Sequence, residues 1–277
     1  KLINWNESIR KLHTSKDGKN NQSRSFRRIV FDELCANFLT LSERRKRIKV
    51  DKSPKIFTNK NSEIIKKNLP FNLTNDQEKV LNEINQDLLS DKRMFRIIQG
   101  DLGSGKTIVS LLSILNVIKS GYQCALMSPT EILARQHYTL IKKIFKNENF
   151  NIEFLSGKTE YKIKKNILSK LASGKIKLLI GNHALFQKKI NFQKLGLVVI
   201  DEQHKFGVKQ RSNLAKKGGN ECDVLLMSAT HIPRTMMMSL YGDMDISKIT
   251  EKPAKRKKII TLSKPEKKIN ELWTFIK

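Results

Sequence analysis

Residues 97–112 read IIQGDLGSGKTIVSLL. A short apolar run leads into a glycine-rich loop, and a longer apolar run leaves it. The loop fits Gly100-x-x-x-x-Gly105-Lys106-Thr107, the phosphate-binding pattern G-x-x-x-x-G-K-[ST]. Such a loop works at a strand-to-helix turn. Its glycines let backbone N–H groups turn inward around phosphates, and the helix that follows aims its positive end at the same anion. A strand is therefore expected before Gly100 and a helix after Gly105. Gly100, Gly103, Ser104, Gly105, Lys106 and Thr107 become the candidates for nucleotide binding. Lys106 would reach the β and γ phosphates, and the Thr107 hydroxyl would hold Mg2+. A glycine turn before an ordinary helix is the competing reading, and the full eight-residue match between two apolar runs argues against it.

The sequence around the loop has a matching texture. Strands are predicted over 95–99, 124–128, 152–155, 177–181, 197–201 and 224–228, and helices over 106–119, 131–145 and 161–172. Strands alternating with helices imply a parallel sheet covered on both faces, an α/β fold. Ligands of such sheets sit at the carboxyl ends of the strands. The first 66 residues differ: they are polar and basic. Residues 15–23 have linker composition. Ile29, Leu34, Cys35, Phe38, Leu39 and Leu41 recur at helical spacing, which predicts one long amphipathic helix between residues 26 and 47. A second basic, loop-like stretch follows to about residue 67.

A phosphate loop needs an acid at the end of another strand. LGLVVIDEQH, residues 195–204, supplies it. Asp201 can orient the metal, and Glu202 can position and deprotonate an attacking water. Hydrolysis of a nucleoside triphosphate is the chemistry this pair suits. A kinase is a weaker reading, because no motif for a second substrate stands out.

Bulk properties narrow the partners. Lys and Arg number 54 against 26 acids, a net charge of +28. That balance suits a polyanion, usually nucleic acid. The rival explanation is biased codon usage, since Lys, Asn and Ile are abundant throughout. Cys35, Cys124 and Cys222 form no zinc spacing, and so sparse a set fits a reducing cytosol. No apolar run approaches the roughly 20 residues that span a bilayer, and no signal peptide is visible. The chain starts at Lys1 and stops within a helix-like stretch, so it is expected to be a piece of something longer.

The order of the remaining motifs carries a resemblance. MSATHIPRT, residues 227–235, follows the DEQH acids as it does in superfamily 2 helicases and translocases. LPFNLTNDQ, QGDLGSGKT, MSPTEILARQH, LLIGNHALFQ, DEQHKFGVKQR, MSATHIPRT and LYGDMDIS come in the order and spacing of the RecG family of bacterial DNA helicases. The resemblance covers nearly the whole chain. It implies a RecA-like P-loop domain over residues 67–258. It also implies the end of a wedge domain with its connecting helix over 1–66, and the truncated start of a second RecA-like domain over 259–277. The implied activity is ATP-dependent helicase or translocase action that remodels branched DNA, at stalled forks and Holliday junctions, in recombination and repair. ATP and Mg2+ would be the cofactors and branched duplex DNA the partner of a cytoplasmic monomer.

The same resemblance assigns roles. Gln77 would read adenine, with Phe71 nearby, although a core role for Phe71 is equally open. His204 and the Ser228 and Thr230 hydroxyls would link hydrolysis to the strand-binding face. Thr130-Glu131 and Gly181-Asn182-His183 would grip DNA phosphates. The plainer alternatives are Thr130 as a helix cap and His183 buried in a turn. Arg135, Asn182, Lys205 and His231 depart from the family's usual Glu, Thr, Arg and Pro. Family members take arginine contacts to ATP from a second motor domain, which lies beyond this sequence. A non-catalytic ATP- and DNA-binding module is therefore the second reading. A transcription-repair coupling factor is the third, disfavoured by Gln203-His204 where that family usually shows Glu-Gln.

Overall fold

The structure, a computed structural model, describes residues 2–14, 23–48, 50–57, 63, 65–66, 69–187, 189–201, 217–229, 244–251, 265–266 and 269–276. Seven strands form one sheet. They are β1 (Phe95–Gly100), β2 (Gln123–Met127), β3 (Asn151–Leu155), β4 (Ile176–Gly181), β5 (Leu195–Ile200), β6 (Asp223–Ser228) and β7 (Asp245–Ile249). Their order is β3-β4-β2-β5-β6-β1-β7, and every pairing is parallel. The helices are α1 (Trp5–Thr14), α2 (Arg24–Ile48), α3 (Asn75–Leu89), α4 (Lys106–Lys119), α5 (Glu131–Ile144), α6 (Tyr161–Ala172) and α7 (Ile269–Ile276).

The central strands are apolar on both sides because helices cover both faces. β2, β5 and β6 are buried at every position. Alternate residues enter two cores. Cys124, Leu126, Val199 and Leu225 pack with α3, α4 and α5, whereas Ala125, Val198, Ile200 and Leu226 pack with Ile167 and Leu171 of α6. α4 is buried almost throughout, which explains why its sequence reads as a continuous apolar run. The layers align all carboxyl strand ends along one rim, with the phosphate loop at the end of β1.

The helices expected over 106–119 and 161–172 form with those bounds, and the six expected strands form within two residues of theirs. β7, α1 and α3 were not among the expected elements. β7 carries Asp245, Ser247 and Lys248 in a five-residue edge strand, so no apolar run marks it. α3 opens with Thr74 as N-cap. The Thr74 hydroxyl accepts from the Gln77 amide and the Gln77 side chain accepts from the Thr74 amide, a capping box. Val80, Leu81, Ile84 and Leu88 line its buried face. The long helix expected between residues 26 and 47 is α2, which packs on α1. Its Leu34, Phe38 and Leu39 are exposed, so the apolar stripe is not buried among the described residues.

Candidate functional site

The phosphate loop turns through two glycines in the left-handed region, Gly103 at φ 76° and Gly105 at φ 90°. A side chain at Gly105 would be strained by that φ, and its Cβ would collide with the Gln77 amide. The loop is thus packed against the first turn of α3 as well as bent. Gln77 Nε2 donates to the Ser104 carbonyl at 2.7 Å, and its Oε1 accepts from the Thr74 amide at 3.0 Å. The Lys106 ammonium lies back across the loop, donating to the carbonyls of Gly100 at 2.6 Å and Asp101 at 2.9 Å. Lys106 is 8% exposed.

The residues present fit a nucleoside triphosphate. The loop turns through its glycines ahead of the α4 amino terminus, and the buried Ser104 hydroxyl has no hydrogen-bond partner among the described residues. Lys106 can exchange its two loop carbonyls for phosphate oxygens. Thr107 stands in the first turn of α4, with its side chain half-buried. Among the described residues no three acids, histidines or cysteines gather as a metal cage. Mg2+ does not need one: it commonly takes one or two protein oxygens, with phosphates and waters completing its shell. Thr107 and Asp201 are the side chains that would hold it here.

Asp201 follows β5. Its amide donates to the Met127 carbonyl at 2.8 Å, extending the β2–β5 pairing. Its Oδ2 meets His137 Nε2 of α5 at 2.8 Å. Glu202, His204 and Thr230 lie outside the described residues, as do Gln203, Lys205 and His231. Ser228 ends β6, buried, beside Gln99 of β1.

The proposed DNA contacts occupy the same rim. Thr130 is exposed and caps α5, its hydroxyl accepting from the Leu133 amide at 3.3 Å. The departure at Arg135 has a local partner. Arg135 donates to Glu131 at 3.0 Å and lies 4.7 Å over the Phe154 ring. Asn182 is 6% exposed. Its side chain accepts from the Ala184 amide at 3.0 Å, capping a 3-10 turn over His183–Phe186. His183 is exposed, not turn-buried. It ends up on the surface because Ala184 and Leu185, not His183, supply the apolar contacts of that turn. Phe71 is 43% exposed, which removes its core alternative. His137 was not among the candidates. A polar residue between Ala134 and Ile141, the buried positions of α5, was the available signal.

Comparison with known proteins agrees with this geometry. The pattern of the DEAD/DEAH box helicase family matches residues 74–239. The chain is similar to ATP-dependent DNA helicase RecG of Aquifex aeolicus, with 46% identity over 262 residues, 91% of this chain and 33% of that protein. Its similarity to the same helicase of Synechocystis is 42% over 279 residues, covering 100% of this chain and 33% of that one. A solved structure of RecG bound to a three-way DNA junction superposes with a TM-score of 0.81 at 40% identity, covering 91% of this chain and 34% of that chain. The chain thus spans about a third of the length of these relatives.

Proposed function

The chain belongs to the DEAD/DEAH box helicase family, and from that membership we propose that it is the first motor part of a RecG-type, ATP-dependent DNA helicase. In this reading residues 67–258 are the motor domain. Residues 1–66 are the end of a wedge region with its connecting helix, and residues 259–277 open a second motor domain. The full enzyme would remodel branched duplex DNA in the cytoplasm, acting as a monomer. No helix among the described residues is long and apolar enough to cross a membrane.

The observation that carries the reading is the joint between Gln77 and the phosphate loop. It ties the residue proposed to read adenine to the loop proposed to hold the phosphates. Bound Mg2+ would supply charge for the transferred phosphoryl group. The chain's own residues do the rest. Lys106 pairs with the β and γ oxygens. The α4 amides and the loop amides receive the remaining negative charge. Glu202 takes the proton of the attacking water, and His204, Ser228 and Thr230 pass the state of the site to the DNA face. Thr130, Asn182 and His183 meet DNA phosphates.

The test is ATP–Mg2+ affinity of this chain and of Lys106→Ala, measured with a fluorescent ATP analogue. Loss of a charge-assisted contact of about 1.5–3 kcal/mol should weaken binding roughly tenfold or more. Equal affinities would remove the phosphate-loop assignment.

A further inference from the structure

His137 occupies a place on α5 where a leucine would be expected. Ala134 and Ile141, three positions before and four after it, are the buried residues of that helix. Side chains at such spacing share one face. His137 therefore lies in the apolar seam turned toward the sheet, with its side chain 12% exposed. A polar ring in a seam costs free energy unless it is hydrogen-bonded. Its partner is the Asp201 carboxylate at 2.8 Å, itself 14% exposed. A carboxylate accepts and does not donate, so the hydrogen between them sits on Nε2. One carboxylate oxygen, Oδ2, is thereby engaged, which leaves Oδ1 as the oxygen to be offered to a metal. The backbone of Asp201 is fixed independently through its amide bond to Met127.

We propose that His137 is a positioning residue that sets the rotamer of Asp201, so that the free carboxylate oxygen faces the Mg2+ of a bound nucleotide. The inference rests on the nucleotide reading above. Partners of this kind orient metal-ligating side chains from behind, and losing one costs about 10–100-fold in metal affinity. In this proposal His137 would act on the metal only through Asp201. Its effect should therefore fall on the Mg2+ requirement and leave the Mg2+-free affinity for nucleotide unchanged.

The experiment measures binding of a fluorescent ATP analogue to this chain, to His137→Leu and to His137→Gln. Each is titrated with Mg2+ after a start in EDTA. Leucine keeps the apolar seam and deletes the donor, whereas glutamine keeps an N–H at similar reach. The expected result is equal affinity in EDTA for all three. The Mg2+ concentration at half-effect should rise about tenfold or more in His137→Leu, with most of that rise reversed in His137→Gln. An unchanged Mg2+ midpoint in His137→Leu overturns the inference. So does a loss of EDTA-state affinity, or an equal rise in both variants, since either marks a packing defect. A parent chain that binds no nucleotide under any condition strikes instead at the nucleotide reading, and is thereby distinguishable.

Discussion

One carboxylate oxygen, Oδ2 of Asp76, accepts three hydrogen bonds: from the Thr250 hydroxyl at 2.7 Å, the Thr250 amide at 2.7 Å and the Glu251 amide at 2.9 Å. The Asp76 amide returns a bond to Glu251 Oε2 at 3.2 Å. Its neighbour Gln77 holds the phosphate loop, so two adjacent residues join that loop to the residues leaving β7. The Thr250 hydroxyl first, then the Glu251 and Thr250 amides, hold the Asp76 carboxyl below its ordinary 3.8. A depressed acid stabilises the fold above the unfolded value and loses that contribution as pH falls through the folded one. Asp76→Asn should therefore lower the melting temperature at pH 7, by the equivalent of about 1 kcal/mol once solvent screening is allowed for. The gap from the parent should close as pH drops below about 4. Melting curves across pH check this, and a gap that stays constant to pH 2 would refute it. Legibility at this scale followed sequence distance. The strand-to-helix turn from Gly100 to Thr107 was readable because its pattern is packed into eight residues. His137 and Asp76 were not, because their partners lie 64 and 174 residues away.

Among elements, β6 is anchored at its first residue by an ion cluster. Asp223 accepts from Lys52 at 2.8 Å and from Lys55 at 2.6 Å, and all three side chains are 0% exposed. Lys52 also donates to the Asp87 carbonyl at the end of α3, and Lys55 to the Glu221 carbonyl. The Met94 amide, just before β1, donates to Asp223 Oδ1 at 2.7 Å. Burial holds the Lys52 ammonium below its usual value, against the opposing pull of Asp223. Residues 50–57 are thus stitched to the amino end of the sheet, although the sequence presents them as a basic loop. Two lysines among so many give no sign that they are buried, and only the fold brings them to Asp223. Apolar runs, by contrast, announced the strands, most plainly β2, β5 and β6, because a strand buried on both faces must be largely apolar. Removing the shared anion leaves two buried cations unpaired. Asp223→Ala should destabilise by about 3–5 kcal/mol, whereas Asp245→Ala on half-exposed β7 should cost far less. Urea unfolding of both variants checks this, and comparable midpoints would contradict the cluster's role.

At the scale of the whole molecule, the net charge of +28 is not spread evenly. α3 carries Asp76, Glu78, Glu83 and Asp87 against Lys79, whereas α6 carries Lys162, Lys164, Lys165 and Lys170 and no acid. Uniform codon bias would load both helices alike. α6 begins just past the carboxyl end of β3, so Lys162, Lys164 and Lys165 of its first turns stand near the rim that also holds Thr130 and Asn182, where the helicase reading needs DNA phosphates. Phosphate contacts position a duplex without reading its sequence, and they weaken steeply with salt. Salt dependence cannot separate a defined track from diffuse charge, because both produce it. Position can. Asn182→Asp puts a carboxylate on the rim and keeps an acceptor for the Ala184 amide, so the turn should hold. Asn149→Asp makes the same change of charge at an exposed position ahead of β3, at the opposite end of the sheet. A carboxylate brought near a phosphate costs about 1 kcal/mol in water, so Asn182→Asp should weaken duplex binding roughly fivefold and Asn149→Asp should leave it nearly unchanged. Filter binding at fixed salt measures both. Equal small losses would mean that diffuse charge holds the DNA and that the rim is not its track.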